Sequence, residues 1–152
     1  QRISRGKRTI LTASGTQKQT REMKEVKAMD LENRAFLKLR PVQDAKLAQL
    51  VQPMLLPQEK ILQQYQGIRD GVVFTDRRLI AVNTQGVTGK KKMYAVLPYS
   101  RIQAYTLESA GVLDFDSEME LWFSGLGCVT LELLAGSDLF ALSSLMDRVI
   151  LR

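Results

Sequence analysis

The sequence has no histidine. That single absence removes the usual general base, the Ser-His and Cys-His nucleophile pairs and the commonest metal ligand. Its one cysteine, Cys128, can close no internal disulfide and build no cysteine zinc site, which points to a reducing compartment. No run approaches the roughly 20 apolar residues needed to cross a bilayer. Aromatics are only 7% of the chain and none precedes Phe36, so the first residues cannot bind single-stranded nucleic acid by base stacking. Prolines stand only at 41, 53, 57 and 98.

What is present is a chain of 152 residues, 45% hydrophobic and 25% charged, enough for one domain with a real core plus an extension. The net charge of +6 is unevenly spread. Residues 1–40 hold eleven basic residues against four acidic ones, a net of +7, which leaves −1 for everything after them. From Gln1 to Arg21 there are six basic residues, no acidic one and too few apolar ones for a core. This arm reads as a solvated tail or as a contact for lipid headgroups, nucleic-acid phosphates or an acidic partner. Its Arg, Ser and Thr content is also similar to that of an organelle transit peptide.

From Gln17 to Leu39, Met23, Val26, Met29 and Phe36 fall near one helical stripe, and Pro41 ends that helix because proline disfavours helix at the residue before it. A second helix is expected over 42–51, with Pro41 and Asp44 in its first turn and Leu47, Leu50 and Val51 on its apolar face. Strands follow. The first starts near Lys60 and runs toward Arg69; then come Val72–Phe74, Leu79–Val82, Met93–Leu97, Ile102–Leu107, a strand reaching Leu121–Phe123, and Cys128–Leu134 with Val129, Leu131 and Leu133 inward. A C-terminal helix is expected where Leu139, Leu142, Leu145, Met146, Val149 and Ile150 recur at steps of three and four, with Ser137 as cap and Asp138 in the first turn.

Phe74-Thr75-Asp76-Arg77-Arg78-Leu79-Ile80 resembles the hairpin of bacterial pleckstrin-homology-like (PH-like) and GRAM-type domains. Gln85-Gly86-Val87-Thr88-Gly89-Lys90-Lys91, Leu97-Pro98-Tyr99-Ser100-Arg101-Ile102 and Glu108-Ser109-Ala110-Gly111 continue the resemblance in order, over about residues 55–151. It implies a mainly β (α+β) fold: a strongly bent antiparallel sheet of about seven strands, plugged at its open corner by the C-terminal helix. The chain then divides into a basic, partly helical extension (1–40) and a PH-like domain (41–152). The resemblance further implies self-association, since bacterial PH-like families form ring-shaped homo-oligomers.

Candidate chemistry is sparse. Asp114, Asp116, Glu118 and Glu120 alternate, which in a strand places them on one face as solvated charge or as a cation or acid/base cluster, but their spacing is not that of an EF-hand loop. Gly86, Gly89, Gly125 and Gly127 are turn glycines without the strand-to-helix junction of a phosphate loop. No catalytic set, metal set or cofactor motif emerges, so the chain is expected not to be an enzyme. The anion-binding candidates are Lys90, Lys91 and Lys92, with Arg77 and Arg78 and, in the arm, Arg2, Arg5, Lys7 and Arg8. Eukaryotic PH domains place their headgroup site between the first two strands. Here that turn is Arg69-Asp70-Gly71, short and charge-neutral, so the resemblance does not carry the lipid site over, and three lysines in a hairpin also serve to keep an edge soluble. Two readings follow: a scaffold module that self-associates into a homo-oligomer, or an adaptor whose basic arm binds an anionic surface. The expected location is the cytoplasm, or an organelle interior in a eukaryote.

Overall fold

The computed structural model describes residues 34–43, 45–113 and 116–151. Eight strands, β1 (Ala35–Val42), β2 (Ile61–Gln66), β3 (Asp70–Thr75), β4 (Arg78–Gln85), β5 (Lys91–Pro98), β6 (Ile102–Glu108), β7 (Ser117–Phe123) and β8 (Gly127–Leu133), form one sheet in the order β5-β4-β3-β2-β1-β8-β7-β6. Helix α1 (Ala45–Val51) continues into a 3-10 turn over Gln52–Met54, a second 3-10 turn covers Tyr99–Arg101, and helix α2 (Leu139–Ile150) closes the described chain.

The strand absent from the expected seven is β1, and it corrects the helix drawn over 17–39. That helix lies outside the described residues up to Asn33; from Ala35 onward the chain is extended. β1 pairs in parallel with β8 from Ala35 to Leu39 and antiparallel with β2 from Arg40 to Val42, so it joins the two halves of the sheet. Pro41 is therefore a strand residue opposite Tyr65, beyond the last rung with β8, and not the start of a helix. The sheet thus begins inside the stretch assigned to the extension, and the leading helix is shorter than 42–51.

Phe36 and Leu39 are both buried although they stand three residues apart. A regular strand alternates its side chains with period two, so one of them would point outward. Leu37 and Lys38 together oppose the single residue Glu132, a bulge that restores the inward direction, and Lys38 takes it up with a φ of 55°. The Cβ of any residue replacing Gly67 would lie 2.7 Å from the carbonyl oxygen of Leu37, so the β2–β3 turn approaches the bulge more closely than a side chain permits.

β3 and β4 are buried on both faces because each face carries its own apolar layer. On the outer face Val73, Ile80 and Val82 pack with Leu47 and Val51 of α1. On the inner face the Tyr65 and Phe74 rings meet edge to face, with centroids 5.9 Å apart. α2 buries Leu142, Leu145, Met146 and Val149, one stripe of the helix. Its N-cap is Asp138, which accepts from the backbone N–H of Ala141 at 2.9 Å, whereas the hydroxyl of Ser137, the expected cap, donates to the Leu134 carbonyl. The Tyr105 hydroxyl ties β6 to α2 by donating to Asp147, with Ser143 Oγ 3.3 Å away. Replacing Leu145 by Asp puts a carboxylate into the α2 contact, and the expected loss is more than about 4 kcal/mol. Thermal unfolding followed by circular dichroism checks this, and a cooperative melt near the wild-type temperature is the contrary result.

Candidate functional site

The Thr75-Asp76-Arg77-Arg78 segment that carries the family resemblance is chiefly a folding device. Thr75 is fully buried, and its hydroxyl oxygen accepts from the backbone N–H groups of Arg77 (3.0 Å) and Arg78 (2.9 Å), which turns the chain in two residues. Its hydroxyl also lies 2.8 Å from Glu59 Oε1, and the Tyr99 hydroxyl donates to the Thr75 carbonyl at 2.7 Å. Asp76 is tied to Lys60 by two 2.9 Å hydrogen bonds, one in each direction.

Glu59, which no sequence pattern singles out, has a side chain with no exposure at all. One carboxylate oxygen accepts from Arg78 Nε (3.0 Å) and the other from an Arg78 terminal nitrogen (3.1 Å) and the Leu56 N–H (2.8 Å). The same Arg78 nitrogen donates to the Met54 carbonyl at 2.6 Å. Burial alone would push the Glu59 pKa up; the hydrogen bonds from Arg78, Leu56 and Thr75 outweigh it and hold the carboxyl below its ordinary value. Arg78 is thus engaged inside the fold while Arg77, beside it, is exposed.

The other anion-binding candidates lie elsewhere. Lys91 and Lys92 open β5 opposite Gln85 and Thr84, at the far end of β4 from Arg78, about 24 Å away at strand spacing. The structure does not bring the two groups together. It does bring the lysines near Arg69, whose carbonyl accepts from the Thr84 N–H at 2.9 Å. Lys92 Nζ donates to Thr84 Oγ1 and the Gly89 carbonyl. Arg2, Arg5, Lys7 and Arg8 lie outside the described residues.

The acidic series is divided differently from the expectation of four carboxylates on one strand face. Asp114 is outside the described residues, and Asp116 precedes β7. Glu118 stands opposite Glu108 on β6 and Glu132 on β8, so three carboxylates line up across three strands. Lys38, projected from the β1 bulge, donates to Asp116 Oδ2 at 2.6 Å and lies 3.0 Å from Glu132 Oε1; these contacts raise its pKa, Asp116 contributing most. Among the described residues no group of three or more acidic or cysteine side chains converges in a way that could hold a metal ion. Burial pushes the Cys128 thiol up, away from the nucleophilic thiolate. No helix among the described residues is long and apolar enough to cross a membrane.

The remaining surface feature is the pair of sheet ends. β5 and β6 terminate the strand order, and among the described residues each has a neighbour on one side only. On the outer face Tyr94 and Val96 of β5 are each 39% exposed, and beside β6 the Trp122 side chain of β7, opposite Ala104, is 43% exposed. Sequence reading places Tyr94 and Val96 on one side of an alternation but gives no sign that their strand ends the sheet.

An eight-stranded, mostly antiparallel sheet with a C-terminal helix against β6 and the Tyr99–Arg101 turn between β5 and β6 defines a PH-like domain. The chain belongs to the bacterial PH domain family, whose model matches residues 30–150. It is similar to a crystal structure of a DUF1696-family protein with a pleckstrin-homology domain from Shewanella loihica (35% identity, 76% of this chain, 99% of that one, TM-score 0.67). It is also similar to a pleckstrin homology domain from Shewanella amazonensis (38% identity, 73% and 90% coverage, TM-score 0.58). An uncharacterized Bacillus subtilis protein, YjqA, is 46% identical over 72 residues, which are 47% of this chain and 58% of that relative's length.

Breaking the Glu59–Arg78 pair should be costly. Arg78→Met leaves a buried carboxylate without its cation, an expected loss of about 3–5 kcal/mol by urea unfolding. Because the Glu59 pKa is lowered on folding, its contribution is complete above the ordinary carboxylate range and is lost as pH falls through the folded value. Wild-type stability should therefore drop more steeply below about pH 4 than that of Glu59→Gln, and parallel pH profiles would count against the network.

Proposed function

We propose that this domain is a non-enzymatic interaction module that self-associates through β5 and β6, the strands that end its sheet among the described residues. The observation that carries the reading is that among the described residues both terminal strands have a neighbour on one side only, that β5 carries the part-exposed Tyr94 and Val96 on its outer face, and that Trp122 stands exposed on β7 beside β6. Monomeric sheet proteins blunt such edges with charge, proline or a covering element. Here Lys90, Lys91 and Lys92 sit at the start of β5 and in the turn before it, and Pro98 at its end, leaving Tyr94 and Val96 between them. The ring-forming habit of bacterial PH-like families agrees with this reading, and a reducing cytoplasm suits the single buried thiol.

A second reading, binding of an anionic surface, is favoured by one cluster. The β2–β3 and β4–β5 turns meet through the Thr84–Arg69 hydrogen bond and place Arg69, Lys90 and Lys91 beside the exposed tips Ile68 and Val87. The basic extension would add to that attraction, although Arg34 and Lys38, at its described end, already face Asp70 and the Asp116–Glu132 pair.

The two readings differ in their response to salt. Light scattering of the full chain at micromolar concentration should give a mass several times that of the monomer, little changed between low and high salt. A monomer at every concentration would overturn self-association. For the second reading, sedimentation with phosphatidylserine-containing vesicles should fall steeply as salt rises, and no binding at low salt would remove it.

A further inference from the structure

We infer that the cleft between the β3–β4 turn, the Tyr99–Arg101 turn and the last turn of α2 binds a free apolar α-amino acid. The ligand's carboxylate meets Arg77, its ammonium meets Asp76 and its side chain lies against α2. This site goes beyond the two interaction readings above and depends on neither.

Three elements distant in sequence form the cleft. Asp76 and Arg77 come from the β3–β4 turn, Tyr99 and Ser100 from the turn between β5 and β6, and Val149 and Ile150 from α2. Its volume is about 330 Å³. That is the small end of the roughly 300–1,000 Å³ usual for small-molecule sites, the scale of a single amino acid and not of a nucleotide cofactor.

The hairpin side of the cleft is held in place by the fold itself. Thr75 Oγ1 accepts from the Arg77 N–H, and Asp76 exchanges two hydrogen bonds with Lys60. The buried Tyr99 donates its hydroxyl to the Thr75 carbonyl, which fastens the second turn to the first. A site fixed in advance loses less entropy when a ligand arrives.

The charges that line the cleft are not used by the fold. Arg78 is engaged by Glu59 and Met54, whereas among the described residues neither Arg77 nor Asp76 has an ion-pair partner, although the two are adjacent in sequence. Asp76 Oδ1 accepts from the Lys60 N–H, which leaves Oδ2 for a ligand. A simple anion is attracted by Arg77 and repelled by Asp76, and a simple cation meets the reverse. A ligand carrying both charges satisfies both residues, and an α-amino acid holds its carboxylate and ammonium on one carbon. The guanidinium fork matches a carboxylate with two parallel hydrogen bonds. On the ammonium side the last turn of α2 contributes the negative end of its dipole.

The rest of the lining selects the side chain. Val149 and Ile150 are aliphatic, Tyr99 is aromatic, and Ser100 is the one neutral polar group among the six lining residues. An aliphatic side chain of the size of leucine suits that wall better than a charged one, which would lose its hydration there without gaining a partner.

The test is isothermal titration calorimetry of the full chain with L-leucine, N-acetyl-L-leucine, L-leucinamide and sodium acetate. L-Leucine should bind, and blocking either of its charges should weaken binding at least about tenfold, the usual effect of losing hydrogen bonds to a charged group. Acetate should not compete. Arg77→Gln and Asp76→Asn should each weaken L-leucine by a similar factor while melting at the wild-type temperature, because Arg77 is exposed and an asparagine keeps the Oδ1 acceptor for Lys60. Absence of binding by L-leucine, L-isoleucine and L-phenylalanine at millimolar concentration would overturn the site. Equal binding of the blocked derivatives or of acetate would overturn recognition by two charges, and unchanged leucine binding in both variants would overturn the location.

Discussion

One strand must serve two half-sheets, and the rest of the molecule is arranged around how it does so. β1 hydrogen-bonds to β8 in its first part and to β2 in its last. Between the two it must keep Phe36 and Leu39 inside, and three residues of extended chain cannot do that without an extra residue in the ladder. Lys38 supplies it in a left-handed conformation, which costs an L residue about 1–2 kcal/mol. The burial of Phe36 and Leu39, each worth roughly 1.5–3 kcal/mol, more than offsets that cost. The bulge also aims Lys38 at Asp116 and Glu132, so one backbone irregularity joins the half-sheets and places the cation that the acidic row faces.

That bulge is also why the start of the domain was the least legible part of the sequence. Phe36 and Leu39 continue the spacing of Met23, Val26 and Met29 in steps that a helix would produce. A bulged strand and a helical turn both place residues i and i+3 on one side, and only the partner strands decide between them. β8, the partner of Phe36 and Leu39, lies about ninety residues downstream. The β3–β4 hairpin was readable for the opposite reason: Thr75 accepts the N–H groups of Arg77 in the turn and of Arg78 just after it, so the information is local. The C-terminal helix was likewise visible in its periodicity, although its cap moved from Ser137 to Asp138 because the Ser137 hydroxyl turns back to Leu134.

Glu59 shows a different limit. Its partners Thr75 and Arg78 are 16 and 19 residues away, and a lone acid after Pro57 has no signature. Once the fold is known, the Arg-Leu of the resembling hairpin acquires a physical meaning: the guanidinium fastens the segment after α1 to the β3–β4 turn by contacts to Glu59 and Met54, and the leucine enters the core. The likeness to other bacterial PH domains at this hairpin therefore concerns folding. It says little about ligands, and the two arginines written side by side have opposite environments.

The edges bring these threads together. Lysines on a terminal strand ordinarily keep it from pairing, and on sequence alone that is a sufficient account of Lys90, Lys91 and Lys92. Their position limits it. They occupy only the beginning of β5 and the turn before it, where they can repel a strand end of the same sign but not one of opposite sign, and the middle of the strand carries Tyr94 and Val96. At the other end of the sheet the terminal strand among the described residues finishes on Glu108, at the margin of a row of carboxylates. Charge at one end of a strand opposes pairing only where a like charge comes opposite it, so the lysines account for the solubility of the start of β5 and not for its apolar middle.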